Sequence, residues 1–130
     1  MSTGQRISLA LGIAYIAIGV LGFIPGITVP STPAGQGMLL GIFAVNPLHN
    51  VAHLVLGAVL VWAGMSPAMT IQVNKALAVV FALLVVVSFL APIAEGVAIN
   101  PPDTFLHLAS ALVTGYVGFM GARGATTAAT

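Results

Sequence analysis

Charge is what this chain has least of. Only 4% of its 130 residues are charged, three cations and two acids, and 59% are hydrophobic. A soluble domain carries about 25% charged residues. So few charges cannot cover a water-facing surface, and the composition predicts a chain whose main solvent is a lipid bilayer. Cysteine is absent, which excludes disulfides and thiolate metal ligands and leaves the redox compartment unread. The formal net charge is +1, with no basic stripe, so nucleic acid is excluded as a partner. There is no phosphate loop, no nucleophile triad and no paired-carboxylate motif. Whether the protein is an enzyme stays open.

What is present is apolar sequence in four stretches, about Ile7 to Ile24, Pro47 to Met65, Asn74 to Ala91 and Pro101 to Gly121. Each is near the roughly 20 residues that a helix needs to cross the hydrocarbon. In lipid every backbone polar group needs an internal partner, which selects helix even for the β-branched run Val85-Val86-Val87. The first stretch follows Arg6 as a signal peptide would, but no small-residue cleavage site comes after it. It is read as a helix that stays. Residues 1–130 form a single membrane domain, with residues 124–130 expected to be a disordered tail.

Arg6, Lys75 and Arg123 fall on one side of an even-spanning topology, and the positive-inside rule makes that side cytoplasmic. The expectation is a multi-pass protein of the cell membrane with both termini in the cytoplasm. Glu95 and Asp103 then lie at the outer face. The outer loop from Pro25 to Asn46 opens on turn-forming residues. It ends on Met38 to Val45, too short to span and expected to lie at the interface or re-enter the bilayer. The second outer loop, Pro92 to Ile99, is short, and Glu95 reads as an exposed loop carboxylate.

Two segments resemble each other without a gap. Asn46-Pro47-Leu48-His49-Asn50-Val51-Ala52-His53-Leu54 matches Asn100-Pro101-Pro102-Asp103-Thr104-Phe105-Leu106-His107-Leu108 as Asn-Pro-x-(His/Asp)-x-x-x-His-Leu. Each is preceded by a cation, an apolar stretch and a proline. The fold expected is an all-α membrane protein, a four-transmembrane-helix bundle made of two duplicated hairpins, residues 6–65 and 75–122. They would be related by a pseudo-twofold axis along the membrane normal. Asn is a favoured helix N-cap and Pro suits the first helical position. That accounts for Asn-Pro but not for the polar residues that follow.

Residues four apart share a helix face. His49 stacks over His53, and Asp103 over His107, at matching depth. Three imidazoles and a carboxylate suit a divalent ion such as zinc or copper. The blander readings are specific too. Asp103 complements the positive end of its helix, His49 is a solvated interfacial residue, and His53 and His107 hydrogen-bond across helices as structural glue. Alternatively, His53 and His107 are axial ligands of haem or a pigment such as chlorophyll, or the cluster serves proton or quinone chemistry. A further reading is an accessory subunit of a larger membrane complex, or a homo-oligomer, in which the helices only pack. Small residues, Gly12, Gly19 and Gly22 in the first stretch and Ala111, Gly115, Gly118 and Gly121 in the fourth, predict close helix packing. Tyr15 and Trp62 read as packing or interfacial-belt residues.

The stretch Gly41 to Leu54 together with Asn100 to Leu108 resembles a bacterial family of four-helix membrane proteins called domain of unknown function 4383. The resemblance covers nearly the whole chain and implies a bacterial origin and a helical membrane fold. It implies no activity. The topology is testable by cysteine accessibility. Thr32→Cys and Val97→Cys should label from outside intact cells, and Thr126→Cys only after permeabilisation; the reverse pattern contradicts it.

Overall fold

The computed structural model describes residues 1–31, 35–90 and 97–121. Pro92, Glu95, Arg123 and the tail 124–130 lie outside the described residues. Helix α1 runs Thr3–Leu21, and strands β1 Thr28–Ser31, β2 Gln36–Leu39 and β3 Phe43–Val45 follow. Then come α2 Pro47–Gly64, α3 Pro67–Leu90 and α4 Pro101–Gly115, which continues as a π-helical segment, Tyr116–Met120. Helices α1, α2 and α3 are long and apolar enough to cross a membrane.

Capping chemistry sets where each helix begins. At α1 the Ser2 hydroxyl accepts from the Gln5 N–H at 3.2 Å, and the Gln5 side chain accepts from the Ser2 N–H at 2.9 Å. This capping box starts the helix one turn before the predicted Ile7 and takes Arg6 into it. The larger correction is α3. The third stretch is expected from Asn74, but Pro67 opens α3, because proline at the first helical position loses no hydrogen bond that the helix would have made. Lys75 therefore lies well inside α3 and not at its start, with its Nζ 5.6 Å from the centre of the Phe119 ring.

The all-α expectation is also corrected. The three strands form an antiparallel sheet in the order β1-β2-β3. Thr28 pairs with Leu39, and Leu39 in turn with Phe43. The apolar run Met38 to Val45 folds back on itself at Leu40 and Gly41, whose φ angles are 53° and 70°. The hairpin satisfies its own main chain, which a single interfacial strand would leave unpaired. Leu39 and Val45 point inward and are buried.

Helices α1 and α2 pack antiparallel, as do α3 and α4. A Cβ added at Gly12 would come within 2.8 Å of the Gly57 carbonyl oxygen, and one at Gly19 within 2.8 Å of the Asn50 carbonyl oxygen. In α3–α4, Gly118 meets Lys75 in the same way, whereas Gly115 and Gly121 have room, 3.8 Å from the nearest side chain. Tyr15, Leu60, Leu77 and Phe81 fill the apolar core, with Ala111 of α4 packed against it.

Around that core the distribution of residues is inverted relative to a soluble protein. Ile13, Val55, Leu83, Phe105 and Leu112 face outward, while Gln5, Ser8, Asn74, Ser110 and Thr114 are buried. Among the described residues, exposed apolar side chains occur on every helix, far more than a water-facing monomer tolerates as a contiguous patch. The molecule is a membrane protein, mostly helical, with lipid as the partner of its outer surface.

Close backbone approach generates a test. Gly12→Ala should lower stability by about 1–3 kcal/mol, the usual cost of overpacking. Gly115→Ala should leave it nearly unchanged. Unfolding in mixed detergent, followed by circular dichroism, distinguishes them; equal effects contradict the packing described.

Candidate functional site

The two Asn-Pro motifs fold alike. Asn46 and Asn100 both adopt extended backbone, with φ of −144° and −135° and ψ of 173° in each. The Asn46 side chain accepts from the His49 N–H at 2.9 Å, and Asn100 from the Asp103 N–H at 3.5 Å. Asp103 completes a capping box by accepting from the Asn100 N–H at 3.1 Å. The matched caps place His49 and Asp103 at the third position of their helices, and His53 and His107 one turn deeper.

All four side chains are buried, and they are neighbours. His49 Nε2 lies 3.6 Å from Asp103 Oδ1. The His49 and His53 rings stack with centroids 4.5 Å apart and planes 6° from parallel. His53 and His107 are 6.2 Å apart, centre to centre. The four side chains form one cluster, but they do not close on a point. Parallel rings send their nitrogens in parallel directions, and no group of three or more donors among the described residues is set to clasp an ion as it stands.

The hydrogen bonds fix the tautomers. His49 Nδ1 is bonded to the carbonyl oxygen of Ala98, and His53 Nδ1 to that of His49 at 3.2 Å. A carbonyl only accepts, so both Nδ1 atoms carry the proton. In the neutral rings each Nε2 then keeps a lone pair. Both Nε2 atoms and His107 Nδ1 are buried without a partner. Buried polar atoms normally have one. At His49 the contrast is sharpest, because its Nε2 lone pair faces a carboxylate oxygen. Two acceptors at that distance are favourable only with a proton or another cation between them.

Neighbouring residues that the sequence did not single out hold the cluster in place. Asn100 donates from Nδ2 to the Ile42 carbonyl at 2.8 Å, and the main chain of Ala44 hydrogen-bonds the Asp103 carboxyl group, so the sheet is tied to the start of α4. Tyr15 stacks on His53 at 4.9 Å and hydrogen-bonds the Ser110 hydroxyl at 2.7 Å. Tyr15 is thus a wholly buried core residue and not part of a belt, whereas Trp62 is exposed. Ser110 stands three residues after His107, on the same face, and that spacing was the available signal. Nothing in the local sequence marks Ala98.

The inverted surface and the buried ionisable cluster define a helical integral membrane protein with a polar interior. The chain belongs to the family described as Domain of unknown function (DUF4383), whose model matches residues 5–120 and so includes all four cluster residues. No curated protein and no solved structure matches it.

Proposed function

We propose that this is a metal-binding protein of the cell membrane, in which His49, His53, Asp103 and His107 hold one divalent ion, zinc or copper, at the outer end of α2 and α4. The observation that carries this reading is the set of unpartnered imidazole nitrogens. Histidines that ligate metals usually donate their second ring N–H to a carbonyl or carboxylate, which fixes the tautomer and aims the lone pair at the ion. His49 and His53 have that arrangement, each N–H spent on a main-chain carbonyl. Binding asks for a modest rotation of one imidazole out of the stacked pair, so that the parallel lone pairs converge.

In the same proposal all four helices span the bilayer. Helix α4 has 15 residues and its π-helical continuation five more, together close to a membrane width. The matched caps at Asn46 and Asn100 support two duplicated hairpins related about the membrane normal. Both termini are cytoplasmic, with Arg6 and Lys75 near one end of the helices and the cluster at the other. A haem or chlorophyll held by His53 and His107 gains no support from the packing, since the cavity beside these rings is about 60 Å³, far below the size of a tetrapyrrole. An accessory subunit in which the histidines only pack is separated from the metal reading by the test that follows.

Full-length protein purified in detergent, exposed to zinc or copper and then desalted, should retain about one ion per chain by elemental analysis. His53→Ala and His107→Ala should lose it while keeping their helical circular dichroism. The outward-facing variant Phe105→Ala should retain it. Metal-free wild-type protein, or full metal content in both histidine variants, overturns the proposal.

A further inference from the structure

Away from the His/Asp cluster, a cation sits within the α3–α4 pair. Lys75 lies about 12 Å along α3 from Pro67, at 1.5 Å per residue. It is half-buried. A Cβ added at Gly118 would come within 2.8 Å of its Cγ, so the bare backbone of Gly118 makes room for the lysine stem. The ammonium rests 5.6 Å from the centre of the Phe119 ring. An aromatic face attracts an ammonium but brings no charge to neutralise it. Ionisable residues inside membrane helices are rare and usually paired. Among the described residues the sole carboxylate side chain is Asp103, which is buried beside His49. It stands on α4 roughly 22 Å before Gly118.

An apolar groove continues from this cation. Val79, Ala82 and Val86 follow Lys75 at helical spacing, on one stripe of α3. With Ala78, Leu83 and Phe119 they line a shallow groove of about 280 Å³. Phe119 therefore serves both the groove wall and the seat of the ammonium. The groove leads away from the α2–α3 connection, and Val79, Leu83 and Val86 are exposed along it. We infer that an anionic phospholipid docks here, its phosphate on Lys75 and one acyl chain in the groove. Charge decides the occupant. A zwitterionic lipid fits the groove but brings a cation of its own to the lysine. A second copy of this chain offers only the buried Asp103 among its described carboxylates. An anionic headgroup supplies the missing charge, and lysines near a membrane surface attract such lipids. The lysine stem lies in apolar surroundings while its ammonium meets the headgroup.

Native mass spectrometry of the full-length protein in detergent tests this, with phosphatidylglycerol and phosphatidylcholine of identical chains at equal concentration. Wild-type protein should retain phosphatidylglycerol about five-fold better, the factor that one lysine gives at an anionic surface. Lys75→Gln should lose the preference, and Lys75→Arg should keep it. Ala82→Trp fills the groove from an exposed position and should lower the retention of both lipids. Arg6→Gln, which removes an exposed cation of α1, should leave the preference intact. Equal retention of the two lipids by the wild type overturns the inference. So does a preference that survives Lys75→Gln or vanishes in Arg6→Gln, or retention unchanged in Ala82→Trp. The wild type and Ala82→Trp decide the matter even if Lys75→Gln loses its helical circular dichroism.

Discussion

The hydrogen bond from His49 Nδ1–H to the Ala98 carbonyl is the contact on which the end of the molecule that carries the cluster depends. It fixes the His49 tautomer and leaves the Nε2 lone pair facing Asp103. It also binds residues 97–100, the approach to α4, onto the side of α2. Asn100 then caps α4 and reaches the Ile42 carbonyl of the sheet hairpin. Helix α2, the segment before α4, the start of α4 and the sheet thus meet around one buried imidazole. Breaking one such buried bond strands a donor and an acceptor, at a cost of about 1–3 kcal/mol for each group left unsatisfied.

The interior below the cluster is governed by the same constraint. Lipid offers no hydrogen bonds, so each polar side chain within must find a partner on a neighbouring helix or on its own turn. Gln5 donates to the Gly64 carbonyl, Ser8 to that of Leu60, Asn74 to the Ser8 hydroxyl, and Thr114 to the Ser110 carbonyl. Such contacts average only about 0.6 kcal/mol in membrane proteins, because the separated helices also find partners. Their consequence is register more than stability. With Gly12, Gly19 and Gly118 allowing close backbone approach, they fix the height at which His53 meets His107. The amide oxygens of Asn50 and Asn74 share with the bare nitrogens of the cluster the lack of a hydrogen-bond partner.

The sequence made the helices and the cluster legible for a physical reason. Asn-Pro is a capping signal with a fixed geometry, so its repetition at residues 46 and 100 sets the depth of His49, His53, Asp103 and His107 from local sequence alone. The start of α3 is ambiguous in the sequence because Ser66-Pro67 can end a helix or begin one, and only the two-residue connection from α2 decides between them. The hairpin of β2 and β3 was hidden because its turn uses Leu40 at positive φ, a conformation that leucine seldom adopts. Ala98 acts through its carbonyl, which every residue has, so no pattern of side chains could mark it. The parallel stacking of His49 on His53 was equally out of reach, since spacing fixes the shared face of a helix but not the rotamers on it.

The account stands on the claim that the unpartnered imidazole nitrogens are ligands awaiting an ion. X-ray absorption at the zinc edge of zinc-loaded protein tests it most directly. The account predicts a first shell of nitrogen and oxygen at about 2.0–2.1 Å, with the outer-shell scattering of two or three imidazoles that disappears in part in His53→Ala. A shell of oxygen alone, without imidazole scattering and unchanged by that substitution, would mean that the ion sits elsewhere and would contradict it.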